Sequence, residues 1–339
     1  MSPRSVSPLR VVLTGATGFV GAAVLDELGR KPGVRVRAVG RRAPVCGEGG
    51  GAEWVRADLA RPASLAGVCE DADVLLHLAS VIGSDEARCA AVNDRGTAVL
   101  MAEAARAGVG RVVQLSTAAV YGPGPHRGAA EGELAPAPVS ATSRTRLAGE
   151  AHALAVGATV LRPGLVVGPG DRWVVPALAE LVDRVPGRWD AGRGLLSVTE
   201  VGDLARLVVA LAFRSGCEGP GGGGAGDDGA GDDGAAGRVF HAGHPVPVRN
   251  GDLMAALAEL GVLRPVDTDL TWEECVRLLR ATPGRVSERQ FSLVAQDHWY
   301  RSDEVWRVAD CPPGPGPLER LAAAAAWYRE AVGRSGGTS

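Results

Sequence analysis

Gly15, Gly18 and Gly21 recur every third residue in Gly15-Ala-Thr-Gly-Phe-Val-Gly21, directly after the apolar run Val11-Val12-Leu13. A helical pattern begins at the same point. Gly15 suits a tight turn, Gly18 lets the backbone approach a pyrophosphate, and Gly21 lets a helix pack closely on a sheet. The pyrophosphate then sits at the positive end of that helix. Thr17, Phe19 and Val20 join the three glycines as expected dinucleotide contacts. At the end of the second strand the chain reads Gly40-Arg41-Arg42, with no acid for the ribose hydroxyls. Arginine grips a phosphate with two parallel hydrogen bonds. Arg41 and Arg42 therefore favour NADP(H) over NAD(H).

Proton-transfer groups are scarce. Of 36 lysine and arginine residues only Lys31 is lysine, and the three tyrosines are Tyr121, Tyr300 and Tyr328. A mechanism that needs a tyrosine activated by a lysine has little to draw on. The six cysteines form no Cys-x-x-Cys pair and the histidines are dispersed, so no metal site is expected.

The elements that must position these groups alternate between strand and helix. Leu9 to Leu13, Val34 to Val39, Asp73 to Leu78, Arg111 to Ser116 and Ala158 to Leu161 read as strands. Helical patterns run to about Gly29, from Ala90 to Ala107 and from Arg144 to Ala155. Such alternation predicts an α/β fold of the Rossmann type, a doubly wound parallel sheet covered on both faces. We assign residues 1–165 to an NADP-binding domain and 166–339 to a smaller substrate-binding region. Within the latter, the Gly/Asp-rich segment 216–237 cannot bury enough apolar surface to order itself and reads as a flexible loop. Arg238 to Ala242 reads as a strand and Gly251 to Leu260 as a helix. Residues 271–300 read as a helical hairpin, a lid, and Leu318 to Val332 as the last helix. Trp173, Trp189, Trp272, Phe291 and Trp299 are candidates for lining a broad aromatic cleft.

Composition sets outer bounds. With 339 residues, 46% apolar and a net charge of -3, the chain is ordinary globular protein. The charge balance argues against a nucleic-acid surface. No run reaches the roughly 20 apolar residues of a membrane span. No signal peptide is read at the N-terminus. A cytoplasmic protein is the expectation; the oligomeric state stays open.

At this point a resemblance is specific. Thr14-Gly-Ala-Thr-Gly-Phe-Val-Gly21, Asp58-Leu59, His77-Leu78-Ala79-Ser80, Val92-Asn93-x-x-Gly96-Thr97, Leu115-Ser116-Thr117-Ala-Ala-Val-Tyr121-Gly122 and Arg162-Pro163-Gly164 follow in order. So do Leu196 to Asp203 and Trp327-Tyr328-Arg329-Glu330. The chain resembles the extended short-chain dehydrogenase/reductases, the epimerase/dehydratase type. That resemblance implies that Asp58 and Leu59 lie near an adenine and that Leu78, Ala79 and Ser80 flank the cofactor. It places Pro163 and Gly164 on the nicotinamide side and puts the family's catalytic Ser or Thr on Thr117.

The pattern breaks where the family carries its Tyr-x-x-x-Lys pair, just before Leu147-Ala148-Gly149-Glu150. Here Thr142 stands at the tyrosine position and Arg146 at the lysine position. A threonine hydroxyl is a far weaker acid than a phenol, whose ordinary pKa is about 10. Arginine stays protonated, so Arg146 can hold a ribose or phosphate but cannot shuttle protons. Thr117, Thr142 and Arg146 thus mark the family's catalytic positions with weakened roles, and Arg146 doubles as a cofactor contact. Two outcomes follow: a protein that only binds NADP(H), or a reductase whose proton comes from elsewhere. Ser116, Thr117, Tyr121, Trp299 and Tyr300 are the expected substrate contacts, with Tyr121 and Tyr300 as protein proton donors. A substrate with a phenol or enol beside its ketone could supply its own proton. The combination resembles the atypical family members that reduce ketones of angucyclinones, which are polycyclic aromatic polyketides. It implies an NADPH-dependent ketoreductase of antibiotic biosynthesis with a small-molecule partner and neither nucleic acid nor membrane. A nucleotide-sugar ketoreductase or epimerase is the remaining alternative.

Overall fold

The computed structural model describes residues 8–42, 51–214 and 235–335. Eight strands and six helices position the site. The strands are β1 (Leu9–Thr14), β2 (Val34–Gly40), β3 (Glu53–Arg56), β4 (Val74–His77), β5 (Arg111–Leu115), β6 (His126–Ala129), β7 (Thr159–Arg162) and β8 (Leu165–Val167). The helices are α1 (Phe19–Gly29), α2 (Glu86–Cys89), α3 (Thr97–Arg106), α4 (Ala141–Leu154), α5 (Val174–Arg184) and α6 (Val201–Ala212).

Val11, Val12 and Leu13 are all buried, as are Val74, Leu75 and Leu76. Continuous apolar runs of this kind belong to strands covered on both faces. They build a seven-stranded parallel sheet in the order Val239–His241, β7, β5, β4, β1, β2, β3. This is the expected Rossmann-type architecture. The chain leaves β1 towards β2 on one side and returns to β4 on the other. That reversal opens a crevice at the carboxyl ends of β1 and β4, where open α/β sheets bind ligands.

Several expected boundaries move. The sheet does not end at residue 165, because Val239–His241 forms its edge beside β7 and α6 packs its apolar face on the same core as α1. The short strand β3 completes the other edge, where Val55 is only partly buried and no long apolar run announces it. The expected helix Ala90 to Ala107 is α2, a π-helical turn over Ala90–Gly96, and α3. Such bulges cluster at functional sites. Here the bulge lays Gly96 against Leu59, where an added Cβ would stand 2.5 Å from the Leu59 carbonyl oxygen. Most of the expected loop 216–237 lies outside the described residues.

The hairpin 271–300 is corrected in two ways. Helices Trp272–Ala281 and Glu288–Ala295 form, but His298–Tyr300 is a strand paired with β6 in a separate four-stranded sheet. The aromatic rings of the two helices also face a core and not the cleft. Trp189 and Phe291 are fully buried, edge to face at 5.0 Å, and Trp272 stacks on Phe291 at 5.5 Å. These rings form a second core with Leu178, Leu181 and Leu279. They are structural, and the expected aromatic cleft loses three of its five members.

Candidate active site

The glycine turn is built as its residue types require. Gly15 has φ +80°, in the left-handed region, and an added Cβ would lie 2.7 Å from the Ala79 nitrogen. At Gly21 a Cβ would meet the Gly15 carbonyl oxygen at 1.9 Å, so only glycine lets α1 pack this closely. Gly18 caps α1 without a side-chain hydrogen bond. The first backbone N–H groups of the helix therefore have no side-chain acceptor, and the helix end favours an anion. A bare backbone cradle at a helix N-terminus fits a dinucleotide pyrophosphate.

This turn lines a cleft of about 810 Å³. Every expected cofactor contact but one lines it: Gly15, Thr17, Gly18, Phe19, Val20, Gly21, Arg41, Asp58, Leu59, Leu78, Ala79, Ser80, Arg146, Pro163 and Gly164. Arg42 instead lines an adjoining pocket of about 710 Å³, which shares Thr17, Arg41, Ala57 and Asp58 with the cleft. Two arginines that sequence reasoning missed, Arg56 and Arg61, stand there too, with Ser64. β3 brings them in: the Ala57 N–H donates to the Gly40 carbonyl at 3.0 Å, joining the ends of β3 and β2. Asp58 spends one carboxylate oxygen on the Ala60 N–H at 3.0 Å. Among the described residues, none of the four guanidinium groups makes an ion pair or a hydrogen bond. Four guanidinium groups thus face one pocket with the single carboxylate of Asp58, an arrangement whose net charge favours an anion.

The reacting end is set by β5, α4 and the turn after β4. Thr142 does not line the cleft. Its hydroxyl accepts from the Gly83 N–H and donates to the Gly83 carbonyl, both at 3.0 Å. The Gly83 segment is itself pinned by Asn93 of the π turn. That side chain accepts from the Val81 N–H at 2.7 Å and donates to the Val81 carbonyl at 2.9 Å. Arg146 does line the cleft. One terminal nitrogen donates to the Leu115 and Ser116 carbonyls at 2.8 and 2.7 Å. Burial lowers its pKa to about 10, which still leaves it charged at neutral pH.

The two β5-end hydroxyls differ in polarity. Ser116 lines the cleft but donates to the buried Glu150 carboxylate. Its oxygen is left as an acceptor. Thr117 accepts from the Ala119 N–H at 3.2 Å, which leaves its own proton free to point into the cleft.

The tyrosines move out of the substrate role. Tyr121 and Tyr300 do not line the cleft and are 3% and 4% exposed. Their rings stack at 5.3 Å. The Tyr121 hydroxyl is bonded to His241 at 2.7 Å and accepts from Arg162 at 2.9 Å. Arg162 in turn forms a buried ion pair with Glu150 at 2.5 Å. The Tyr300 hydroxyl bonds to His126 at 2.7 Å. Burial raises both phenol pKa values, the wrong direction for a proton donor at neutral pH. Trp299 also stays outside the cleft and packs against Gly128, where an added Cβ would touch its ring.

Fold and site together define a nicotinamide-dinucleotide-binding α/β protein. The profile of the NAD dependent epimerase/dehydratase family matches residues 11–218, and the chain belongs to that family. The family is one of NAD-dependent epimerases and dehydratases. Two curated relatives are reductases. A 4-hydroxy-2-methyl-3-oxo-4-farnesyl-3,4-dihydroquinoline-1-oxide ketoreductase from Stigmatella aurantiaca is 27% identical over 63% of this chain and 66% of that protein. A 2-alkyl-3-oxoalkanoate reductase from Stenotrophomonas maltophilia is 31% identical over 84% of each chain. The chain thus spans about two thirds of the first relative's length. Among solved structures, MoeE5 in complex with UDP-glucuronic acid and NAD superposes with a TM-score of 0.67 at 25% identity, over 95% of this chain and 99% of that one.

Proposed function

We propose that the chain is an NADPH-dependent ketoreductase acting on a polycyclic aromatic ketone of the angucyclinone type, in antibiotic biosynthesis, without a Tyr–Lys dyad. The observation that carries this reading is the pair of hydrogen bonds between the Thr142 hydroxyl and the Gly83 backbone. The residue at the dyad's tyrosine position has its hydroxyl engaged on backbone and lies outside the cleft, so the protein presents no acid there. Arg41, Arg42, Arg56 and Arg61 support NADPH over NADH, because a 2′-phosphate is the anion that such a cluster at the adenosine end accommodates.

Bound NADPH supplies the hydride. The protein's part is orientation and charge. The Thr117 hydroxyl and the Arg146 guanidinium face the cleft as donors and hold the ketone oxygen where negative charge develops. The Ser116 oxygen accepts from a neighbouring hydroxyl or amide. The proton comes from an acidic hydroxyl on the substrate or from water.

The Stigmatella relative is named for a 3-oxo-3,4-dihydroquinoline, a fused-ring ketone, which agrees with this reading. The MoeE5 structure carries a nucleotide sugar, and that alternative is separated by assay. The test is to supply NADPH with a hydroxylated angucyclinone ketone, and separately NAD with UDP-glucuronic acid. NADPH consumption with carbinol formation supports the proposal. Sugar epimerisation without ketone reduction replaces it. Binding of NADP(H) with neither reaction makes the chain a non-catalytic sensor.

A further inference from the structure

Arg88 is exposed, lines the cleft, and makes no side-chain hydrogen bond or ion pair among the described residues. It sits on α2, whose N-cap Asp85 accepts from the Arg88 backbone N–H at 3.0 Å and fixes the turn. The same α2 segment abuts the dyad position: the Cys89 thiol lies 4.0 Å from the Thr142 hydroxyl. Arg88 and Arg146 therefore put two guanidinium groups into one cleft. The cleft's two carboxylates do not balance them. Asp58 belongs to the adenosine end, and Asp171 is fully buried, accepting from the Trp173, Val174 and Val175 N–H groups and from the Tyr328 hydroxyl.

Two apolar side chains are exposed on the same cleft. Ile82, beside Gly83, is 51% exposed, and Trp173, at the start of α5, is 59% exposed. Large apolar groups left to water at a ligand site mark surface that a ligand covers. Their segments are held in place, Ile82's by Asn93 and Trp173's by Asp171, so neither is a floppy end.

We infer that Arg88, Ile82 and Trp173 form a substrate grip. Arg88 donates to the oxygen of an acidic hydroxyl of the substrate, a phenol or enol that is bound protonated and becomes anionic as the ketone is reduced, while Ile82 and Trp173 cover the flat rings. The inference deepens the proposed function by naming the feature of the substrate that is recognised. It also completes the proton balance. Hydride forms the carbinol C–H bond as the carbonyl π bond breaks. The substrate's phenolic O–H breaks to form the alcohol O–H. The phenolate left behind faces Arg88 and is reprotonated by solvent after release.

The test uses binding, so it does not depend on turnover. NADP+-saturated protein is titrated with 1,8-dihydroxyanthraquinone and with 1,8-dimethoxyanthraquinone. The native chain is expected to bind the dihydroxy compound at least about tenfold more tightly, the size of one charge-assisted hydrogen bond. Arg88→Gln should reduce that ratio to about twofold or less and leave NADP+ affinity unchanged. Arg88→Lys should restore part of it. Trp173→Ala should weaken both compounds alike. Discrimination retained in Arg88→Gln, a loss of NADP+ affinity in that variant, or no binding of either compound to the native chain overturns the inference. If Arg88-dependent discrimination appears but no ketone is reduced, the ketoreductase reading fails and the grip stands.

Discussion

The Thr142 hydroxyl and the Gly83 backbone, 59 residues apart in sequence, are joined by two hydrogen bonds of 3.0 Å each. This relationship separates position from role. Thr142 occupies the place at which the resemblance puts a proton donor, and its chemistry is spent on holding the turn after β4. Thr142→Val should therefore cost structure before catalysis. A loss of about 1 kcal/mol in folding stability is expected from hydrogen bonds at this half-exposed site, with kcat within about tenfold of native. Thermal unfolding and steady-state kinetics check this. A fall in kcat beyond about a thousandfold, roughly 4 kcal/mol of transition-state stabilisation, would make Thr142 a participant.

Arg146 is expected to behave differently. It faces the cleft and is oriented by two carbonyls, so Arg146→Met removes a donor to the developing oxyanion. A fall in kcat of about a hundredfold is expected. A pH–rate profile should show no titration assignable to Arg146 between about pH 6 and 9, because a guanidinium with a pKa of about 10 stays charged there. An ionisation in that window that vanishes in Arg146→Met would contradict this role.

The arginine pocket predicts cofactor choice. Arg56→Ala combined with Arg61→Ala should weaken NADPH by about tenfold or more and leave NADH nearly unchanged, since only NADPH carries the third phosphate. The difference should shrink as salt rises, because these groups are exposed. Fluorescence titration with both cofactors reads it directly. Equal weakening of NADH and NADPH would place the two arginines on some other part of the dinucleotide.

Stability should fall in mild acid. His77 is buried between Thr14 and Thr97, with ring nitrogens 2.8 and 2.9 Å from their hydroxyls, and burial lowers its pKa from 6.5 to about 4. His298 is lowered to about 4 in the same way. Above pH 6.5 both are neutral folded and unfolded, and neither makes stability pH-dependent. Between 6.5 and 4 the unfolded chain binds the protons first, so each costs up to about 1.4 kcal/mol of stability per pH unit. Denaturant titrations across that range should show the decline, and His77→Asn should make it shallower.

The buried pair of Glu150 and Arg162 gives the largest expected structural effect. Glu150→Gln leaves Arg162 buried beside Tyr121 without its countercharge, at a cost of about 3–5 kcal/mol. It also leaves one amide oxygen for the Ser116 hydroxyl and the Arg162 guanidinium to share, in place of two carboxylate oxygens. Chemical denaturation measures the first effect. A variant as stable as the native chain would show that Arg162 finds water or another acceptor.

Much of the architecture was legible because local and global signals coincide. The buried runs of β1 and β4 and the Gly15-x-x-Gly18-x-x-Gly21 spacing each specify strand, turn and helix within a dozen residues. Arg41 and Arg42 were legible for the same reason, being adjacent to a strand end. Arg56 and Arg61 were not, since they meet that pair only through the pairing of β3 with β2. The bond between Thr142 and Gly83 is equally non-local. The aromatics were misread because residue type does not separate core from cleft: Trp189 and Phe291 fill a core, whereas Trp173 alone of the five faces the cleft. The tyrosines were misread likewise, since nothing near Tyr121 in sequence announces that His241 and Arg162 will close over its hydroxyl.

Hydride transfer to an aromatic ketone without a protein dyad is open to one decisive experiment. The most direct measurement supplies NADPH deuterated at the transferable position with a hydroxylated angucyclinone ketone, using native chain and Thr142→Val. One deuterium on the carbinol carbon per NADPH consumed is expected in both proteins. Absence of label in the product from the native chain, or label that disappears in Thr142→Val, would contradict it.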